Sequence, residues 1–473
     1  MKRLLALVAI AILPFNSVTR AAESTDRAKD ARPNVIVIIV DDLGYADLGV
    51  QGGQDIKTPN IDSIAKSGVR FTNGYVTGPY CSPTRAGLIS GRYQERTGHD
   101  FNPDSNYEGK DIGLSLEEST IADAFKGAGY RTAAVGKWHL GVDKKFRPTN
   151  RGFDEFYGFL PAVHPYLSTA PGNGNPRIVA QAPGKLLRNE DEIVEAPGYT
   201  TDLFGQEASA FVERNKNRPF FLYLATNAVH TPLQATDKYL ARFPNAEGKR
   251  KPYLAMLSAL DDAVGTVLKT LRDSGIEDNT LIYFLSDNGG PEQGNGSNNG
   301  KLNGGKATVW EGGIRVPFFV QWKAKLPQGV DNAVPVAQID IFPTAIAAAG
   351  IPTPPKKNFD GRNILPLASG QSKEAVHDRL YWRFGKQWAV REGEWKLARV
   401  PGEEQPKLFN LVKDEGEEND VADEYPEIVK KLTEAWDDWN SHNIDPRWIP
   451  QKMQTADGEL AERPGKKNAK VQQ

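Results

Sequence analysis

The chain has 473 residues, with 58 basic and 60 acidic side chains and a single cysteine. It lacks the basic tracts typical of nucleic-acid binding, and one cysteine cannot form an internal disulfide. The 45 glycines and 32 prolines exceed average usage and predict long ordered loops on a mixed scaffold.

The N-terminus has the layout of a cleaved export signal. Lys2 and Arg3 precede an unbroken apolar run over residues 4–13, and small residues follow. The run is too short to span a bilayer, and no later segment reaches that length. We therefore expect residues 1–22 to be removed and the protein to be exported, to the periplasm or the medium, without a membrane anchor.

The following segments alternate between strands and helices. Residues 34–40 (NVIVIIV) form a predicted strand whose residues 35–40 are continuously apolar, which is typical of a parallel strand covered on both faces. In chain order, the next predictions are helices at 58–67 and 121–130, a strand within 131–141, a helix at 207–214, a strand within 219–232, a helix at 253–275 and a strand within 280–290. Ser115 and Glu118 suggest a capping box before the second helix. The alternation predicts an α/β fold whose large, mostly parallel sheet is flanked by helices.

The C-terminal part has a different residue pattern, which predicts a different arrangement of strands and helices. From about residue 375 the sequence predicts aromatic-rich hairpin strands, with a turn at Glu392–Gly393, and then a helix over 425–442. A Gly/Asn-rich run over 290–305 predicts a flexible loop. The predicted division is a signal at 1–22, a catalytic domain at 33–372, an α+β subdomain with an antiparallel sheet at 373–450, and a disordered tail at 451–473.

Polar side chains follow the carboxyl ends of four predicted strands. They are Asp41 and Asp42, Lys137 and His139, His230, and Asp287 and Asn288. Any one of them alone would be an ordinary loop residue. In open α/β sheets, however, ligands bind in the crevice outside the strand ends, so four such exits together indicate a functional site.

The residue types at these exits suggest their chemistry. The oxygens of Asp41, Asp42, Asp287 and Asn288 suit Ca²⁺ or Mg²⁺ and not zinc. Adjacent carboxylates repel each other unless a cation neutralises them. Lys137 and His139 are two residues apart, so on an extended segment they face the same way. An ammonium can hold an anionic oxygen, and an imidazole can move a proton near neutral pH.

The single cysteine lies in the sequence CSPTR, residues 81–85. Pro83 and the residues after it predict a turn that enters a short helix, with Cys81 near the helix N-terminus, where negative charge is favoured. Arg85 adds a fixed positive charge one turn later. A lone cysteine is otherwise usually a small buried hydrophobe. A phosphotyrosine-phosphatase loop needs five residues between cysteine and arginine, and here there are three.

CSPTR followed by AGLISGR resembles the C-x-P-x-R signature of the type I, formylglycine-dependent sulfatases, the arylsulfatase-like members of the alkaline-phosphatase superfamily. The resemblance extends over nearly the whole mature chain, through the motifs NVIVIIVDDLGYADLG, TPNIDSIAKSGVRFTNGYV, GKWHLG, GFDEFYGF, HTP, SDNGG and GGKATVWEGGIRVP. It implies an alkaline-phosphatase-like fold and the hydrolysis of sulfate monoesters.

The resemblance also implies roles for individual residues. Cys81 would be oxidised to Cα-formylglycine by a formylglycine-generating or sulfatase-maturing enzyme, and one hydroxyl of the hydrated aldehyde would be the nucleophile. The calcium ligands would be Asp41, Asp42, Asp287, Asn288 and the modified Cys81. Arg85 would stabilise the diol, and Lys137 and Lys306 would grip sulfate oxygens. His230 would protonate the leaving alcohol, and His139 would take the proton of the second hydroxyl as sulfate is released. Lys306 is favoured over the nearby Lys301 by its position five residues before the EGG motif.

The substrate class that this implies is a sulfated carbohydrate. Residues 161–200 would form one wall of the pocket, and His164, Arg177 and Trp388 are candidate sugar contacts, although each also fits a plain surface role. Two alternatives stay open. One is a phosphomonoester, phosphodiester or phosphonate hydrolase of the same superfamily. The other is a non-catalytic binder of sulfated glycans, which would have no need of the nucleophile and proton donors present here.

Overall fold

The computed structural model describes residues 32–103, 111–167, 186–193, 198–355 and 357–454. The predicted export signal, Arg177 and residues 455–473 lie outside these ranges. Residues 451–453, the start of the predicted tail, form a 3-10 turn. Among the helices of the described ranges, none is both long enough and apolar enough to cross a membrane. The described residues, from Arg32 onward, belong to one compact unit, and the domain boundary at residue 373 stays a prediction.

The described strands and helices have the following bounds. The strands are β1 (Asn34–Val40), β2 (Val69–Phe71), β3 (Gly74–Tyr75), β4 (Arg131–Lys137), β5 (Glu155–Phe159), β6 (Leu186–Arg188), β7 (Asp191–Ile193), β8 (Phe220–Ala225), β9 (Thr280–Ser286), β10 (Phe318–Gln321), β11 (Val330–Asn332), β12 (Val336–Ala337), β13 (Leu380–Phe384), β14 (Gln387–Glu392), β15 (Trp395–Arg399) and β16 (Lys407–Asn410). The α-helices are α1 (Pro59–Lys66), α2 (Cys81–Ser90), α3 (Ile121–Gly127), α4 (Thr200–Asn215), α5 (Asp237–Leu240), α6 (Arg250–Asp273), α7 (Glu292–Asn295), α8 (Glu311–Ile314), α9 (Ile341–Ala348), α10 (Leu365–Ala368) and α11 (Pro426–Ser441). Short 3-10 turns cover Gly49–Gln51, Gln94–Thr97, Lys144–Phe146, Pro148–Asn150, Gln338–Asp340 and Gln451–Met453.

Ten of the described strands form one large mixed sheet. Their order across it is β11-β2-β10-β9-β1-β8-β4-β5-β6-β7. The central strands β9, β1, β8, β4 and β5 run parallel, while β10, β6 and β7 pair antiparallel toward the edges. β1 pairs with a strand on each side, and all seven of its residues are buried, as its unbroken apolar sequence predicts. The predicted α/β fold is confirmed.

Helices cover both faces of this sheet, and alternate residues of β1 point into two separate cores. Val35, Val37 and Ile39 pack with apolar side chains of α2, α3 and α9. Their neighbours in sequence pack on the opposite face against α1, α4 and α6. The period-2 geometry of a strand therefore divides one apolar run between two layers of helices.

The predicted capping box at Ser115 and Glu118 is wrong, because α3 begins later, at Ile121. Its cap is Thr120, whose hydroxyl accepts a hydrogen bond from the Asp123 N–H at 3.0 Å, while the Asp123 carboxylate accepts from the Thr120 N–H at 2.9 Å. The Glu118 carboxylate instead forms ion pairs with Arg92 and Lys357. The same residue pattern thus occurs five residues later, where the apolar face of the helix begins.

The C-terminal part forms the antiparallel sheet that the sequence predicts. β13, β14, β15 and β16 pair in chain order, and β14 and β15 are joined by a turn at Gly393 and Glu394, one residue after the predicted position. Helix α11 packs on this sheet, with the rings of Trp388 and Trp436 stacked at 4.6 Å. The sheet also contacts the residues before α2, since the Trp382 indole donates a hydrogen bond to the carbonyl of Val76 at 2.7 Å.

Candidate active site

The four polar strand exits meet at one edge of the large sheet. β9, β1, β8 and β4 are consecutive neighbours, so their carboxyl ends lie side by side. Asp41 and Asp42 directly follow β1, and Asp287 and Asn288 directly follow β9. Lys137 is the last residue of β4, and His230 lies five residues beyond β8. The structure therefore brings together residues that lie up to 247 positions apart in the sequence.

Cys81 lies at the centre of this group, as the first residue of α2. Its Sγ is 3.5 Å from Oδ1 of Asp41 and 3.2 Å from Nζ of Lys306. The side chain is buried, and burial, reinforced by the negative charge of Asp287, raises the pKa of the thiol to about 12. Because the thiolate is the nucleophilic form, an unmodified Cys81 would be unreactive at neutral pH.

Two aspartates are each held by a lysine. Asp41 Oδ2 is 2.6 Å from Nζ of Lys137, and Asp42 Oδ1 is 2.6 Å from Nζ of Lys306. The side-chain amide of Asn288 donates a second hydrogen bond to Asp42 Oδ1 at 2.7 Å. Asp42 itself has a left-handed backbone, with φ of 63°. The carboxylates and their cations thus form a compact, buried ionic cluster.

Arg85 joins three elements through its fully buried guanidinium. Its Nε and Nη2 contact Oδ2 of Asp287 at 3.1 and 2.8 Å, and its Nη1 donates to the carbonyl of Lys137 at 3.0 Å. The residue therefore fixes α2, which carries Cys81, to the exits of β9 and β4. The planar fork of donors of an arginine suits this arrangement better than the single ammonium of a lysine would.

The pKa values of the aspartates differ with their partners. Burial raises the pKa of Asp41, but the surrounding cations, Lys137 first, outweigh this effect and hold it well below the usual range. Burial and the neighbouring Asp41 carboxylate raise the pKa of Asp287 to about 6. For Lys306, burial lowers the pKa, but Asp42 and other negative neighbours raise it well above its ordinary value, so the side chain stays an ammonium.

The structure brings together several side chains that can bind a metal ion. Among the described residues, ligand atoms of Asp41, Asp42, Cys81 and His230 lie within 4.8 Å of one another. Asn288 borders this group, and its buried Oδ1 has no hydrogen-bond partner in the part of the chain that the structure describes. Asp287 Oδ1 accepts a hydrogen bond from the N–H of Asp42 at 3.3 Å. Carboxylate and amide oxygens are typical ligands of Ca²⁺ and Mg²⁺.

The two histidines have different surroundings. His139 is buried with φ of 59°, and within the described ranges neither ring nitrogen has a partner. Burial lowers its pKa well below the ordinary value, and the charge of Lys137 adds to this effect. His230 is partly exposed. Its Nδ1 is 2.6 Å from the carbonyl of Thr231, and its Nε2 is 3.6 Å from Oδ2 of Asp42. Burial lowers the pKa of His230 as well, while the charges of Asp41 and Asp42 oppose the shift.

The loop over 290–305 is packed and is not the flexible segment that its composition predicts. The side chains of Asn295 and Asn299 are fully buried. The Asn299 amide donates to the carbonyl of Gly290 at 2.8 Å and to that of Gly304 at 3.2 Å, so it ties the two ends of the loop together. Lys306 is the residue directly after this loop. Lys301 instead points outward, with its side chain 79% exposed and paired with Glu415, so it does not reach Cys81.

Several residues near the site carry no local sequence signal for their role. The Ser82 hydroxyl donates to the carbonyl of His139 at 2.6 Å and contacts Nε2 of His99 at 2.6 Å. The Tyr166 hydroxyl donates to the carbonyl of His230 at 2.9 Å. Only the adjacency of Ser82 to Cys81 could have indicated its position, because the other contacts arise from the tertiary structure.

Two of the candidate sugar contacts lie in packing interactions. The imidazole of His164 is buried and stacks on Phe159 at 4.9 Å. Trp388 stacks on Trp436 against α11. These positions give both side chains structural roles. Arg177 lies outside the described residues.

Known protein families and relatives match most of the chain. The family model described as Sulfatase matches residues 33–351, and that described as N-sulphoglucosamine sulphohydrolase, C-terminal, matches residues 305–441. Human N-acetylgalactosamine-6-sulfatase (Homo sapiens) is 31% identical over 454 residues, with 85% of this chain and 84% of the relative covered. Arylsulfatase G of Rattus norvegicus is 32% identical over 460 residues, with 85% of each chain covered.

Solved structures show the same similarity. Ps i-CgsB in complex with k-i-k-neocarrahexaose is 37% identical, with a TM-score of 0.83 over 88% of this chain and 95% of that one. The phosphonate monoester hydrolase of Agrobacterium radiobacter is 21% identical, with a TM-score of 0.64 over 92% of this chain and 100% of that one, and shares the fold.

Proposed function

Because the chain belongs to the sulfatase family and is a sulfuric ester hydrolase, we propose that it cleaves sulfate monoesters of a sulfated carbohydrate through a formylglycine derived from Cys81, beside a bound calcium ion. The observation that carries the proposal is the position of Cys81. Its side chain lies between the carboxylate of Asp41 and the ammonium of Lys306, in a setting where the thiol itself is protonated. A raised thiol pKa argues against a thiolate as the nucleophile and leaves the modified side chain as the proposed one.

The hydrate of a formylglycine supplies one hydroxyl that can attack sulfur and a second that allows sulfate to leave without attack of water on a sulfate ester. A sulfatase-maturing or formylglycine-generating enzyme is the partner that this conversion requires. Arg85 lies one helical turn from residue 81 and is fixed by Asp287, so it can hold the modified side chain in one orientation.

Asp41, Asp42, Asp287, Asn288 and the modified residue 81 would hold the calcium ion. When bound, the ion would neutralise the buried carboxylates and attract negative charge on a sulfate oxygen. The buried Oδ1 of Asn288, which has no partner among the described residues, supports this assignment. The ammoniums of Lys137 and Lys306, which pair with Asp41 and Asp42, lie in the same cluster as these proposed ligands.

The remaining residues are proposed to bind the sulfate group and to transfer protons. Lys137 and Lys306 would bind sulfate oxygens, whose negative charge otherwise repels a nucleophile. In its protonated form, His230 would donate a proton from Nε2 to the leaving alcohol while its Nδ1–H donates to the carbonyl of Thr231, and the charges of Asp41 and Asp42 favour that form. His139, whose ring nitrogens have no partner in the described structure, would accept the proton of the second hydroxyl. Its lowered pKa keeps the imidazole neutral and able to act as a base.

The substrate proposal takes its direction from the relatives. The structure of Ps i-CgsB, 37% identical to this chain, was solved with k-i-k-neocarrahexaose, and other relatives are named for sulfated sugars. We infer that this enzyme acts on a sulfated oligosaccharide outside the cytoplasm, as the predicted export signal at residues 1–22 suggests.

The test uses the full chain coexpressed with a maturing enzyme. Peptide mass spectrometry should find formylglycine at position 81, and a panel of defined sulfated oligosaccharides, with neocarrahexaose first, should release sulfate. Cys81→Ala should release none, and activity of a fully unmodified thiol form would contradict the proposed nucleophile. Faster turnover of an aryl phosphate than of the matching aryl sulfate would favour the phosphoester alternative.

The calcium proposal has its own test. Removal of divalent ions with a chelator should lower both sulfate release and the thermal unfolding temperature, because the buried carboxylates then repel one another. Ca²⁺ should restore both, and Mg²⁺ should restore them less well, since it demands stricter geometry. A chelated enzyme with unchanged activity and unfolding temperature would show that this site holds no metal.

A further inference from the structure

We propose that Gln387, in the C-terminal sheet, is a positioning residue that aims Lys306 at the reaction centre. This inference rests on the proposed role of Lys306 in binding sulfate. Gln387 is the first residue of β14 and lies 81 positions after Lys306 in the sequence. The residue is 7% exposed, and its side-chain amide contacts the segment that follows Lys306.

The Gln387 amide binds that segment at two points. Its Nε2 donates a hydrogen bond to the carbonyl of Ala307 at 3.1 Å. Its Oε1 accepts one from the N–H of Val309 at 3.2 Å. A side-chain amide carries both a donor and an acceptor, so it can replace a neighbouring strand for these two backbone groups. Val309 is fully buried and Ala307 nearly so, and their polar groups have little access to water.

The bound segment has an unfavourable backbone conformation. Ala307 has φ of 69°, in the left-handed region, which is unfavourable for a residue with a Cβ. The N–H of Ala307 donates to the carbonyl of Pro79 at 2.8 Å, two residues before Cys81. Ala307 is therefore held on one side by the segment that leads into Cys81 and on the other by Gln387. These contacts offset the cost of the left-handed conformation.

The direction of this backbone sets the position of the Lys306 ammonium. Nζ of Lys306 is 3.2 Å from Sγ of Cys81 and 2.6 Å from Oδ1 of Asp42. A lysine side chain has four rotatable bonds, and its ammonium stays at one place only if the backbone is fixed and the end is bound. Without Gln387, the Ala307 carbonyl and the Val309 N–H lose these partners, and the left-handed turn is free to relax. The ammonium would then sample positions away from a bound sulfate.

The test is a double-mutant cycle on the matured full-length enzyme with an aryl sulfate as substrate. Gln387→Met keeps the size of the side chain and removes both hydrogen bonds. We expect kcat/KM to fall by about tenfold in the parent, and by less than about twofold in a Lys306→Ala background. Rates are normalised to the formylglycine content at position 81, measured by mass spectrometry. Equal losses in both backgrounds, or no loss in the parent, would overturn the inference.

Two further variants keep the result interpretable. Gln387→Glu retains the acceptor for the Val309 N–H but places a carboxylate oxygen against the Ala307 carbonyl, where the two oxygens repel each other. It replaces Gln387→Met if that variant does not fold, and its loss of kcat/KM should depend on Lys306 in the same way. Asn410→Leu is the matched control. Asn410 is a buried amide of the same sheet that accepts from Val412 and Lys413, so its loss should affect activity equally with or without Lys306. If Lys306→Ala alone leaves kcat/KM unchanged, the proposed role of Lys306 fails. If it lowers kcat/KM while Gln387→Met does not, only the inference about Gln387 fails.

Discussion

Three buried carboxylates at the end of the parallel sheet each have their own positive partner. Asp41 pairs with Lys137, Asp42 with Lys306, and Asp287 with Arg85. Removing one partner of a buried pair leaves an uncompensated charge in a region of low dielectric, so each of these cations has a structural function in addition to its proposed catalytic one. Stability must therefore be measured alongside activity for variants of this cluster.

His230 can be tested through the leaving group. We expect His230→Gln to lower kcat for a sugar sulfate by about 10²–10⁴-fold, because an alkoxide needs a proton as it leaves. The same variant should lose much less activity on nitrophenyl sulfate, whose phenolate leaves without protonation. Steady-state kinetics on both substrates make the comparison. Equal losses on the two would show that His230 does not act as the acid.

Glu95 gives a pH-dependent prediction away from the cluster. It is fully buried, and burial, reinforced by Asp100, raises its pKa to about 8. Between its ordinary pKa and about 8, the unfolded carboxyl is ionised while the folded one keeps its proton. This difference reduces stability progressively as pH rises through that window.

Glu95→Gln removes the ionisation, and we expect it to raise the unfolding temperature by about 2 °C or more at pH 8 and to change it little near pH 4.5. Thermal unfolding measured at several pH values would show the trend. The exposed Glu117→Gln serves as the control. A gain that is the same at every pH would contradict a raised pKa for Glu95.

At the scale of elements, the site depends on the order of the strands and on one packed loop. The order β9-β1-β8-β4 places four exits side by side, and the loop between Gly290 and Gly304 leads from the β9 exit to Lys306. Asn299 accounts for the shape of the loop, because its amide bonds to both ends of it. A Gly/Asn-rich sequence can thus form an ordered loop when its amides are buried and paired.

Asn299→Ala should destabilise the protein by about 1–3 kcal/mol, because the groups that it satisfies at Gly290 and Gly304 become unpaired. Activity should fall with it, since Lys306 lies at the end of the same loop. Urea unfolding and sulfate release measure the two effects. Asn298→Ala, at an exposed neighbour, should change both only slightly. A loss of stability without any loss of activity would separate the loop from the site.

At the scale of the whole molecule, the C-terminal sheet is joined to the catalytic core through buried charges. Lys396 of β15 is fully buried and forms ion pairs with Glu311 at 2.9 Å and with Glu417 at 2.7 Å. Glu311 begins α8, five residues after Lys306, and also accepts a hydrogen bond from the Tyr75 hydroxyl. The C-terminal sheet is therefore attached close to the segment that contains Lys306, a proposed catalytic residue.

Lys396→Met should lower the free energy of unfolding by about 3–5 kcal/mol, because two buried carboxylates lose their shared cation. Lys407→Met is the control in the same sheet, since its pair with Glu403 is partly exposed and should contribute at most about 1 kcal/mol. Chemical unfolding of the two variants gives the comparison. If both lose the same small amount, the buried pairs do not hold the sheet to the core.

The sequence alone predicted the principal strands and helices around the site and the residue types at the strand exits, because both depend on local patterns. The apolar run over residues 35–40 predicts a buried parallel strand, and CSPTR predicts a helix with Cys81 near its N-terminus. The polar residues after the predicted strands include those that the structure brings together at the site. Tertiary structure alone decided which strands are neighbours, that Thr120 caps α3, and that the loop before Lys306 is packed. It also placed Gln387 of the C-terminal sheet against the backbone beside Lys306. These features depend on contacts between distant segments or on the burial of polar groups, and neither leaves a periodic pattern in the sequence.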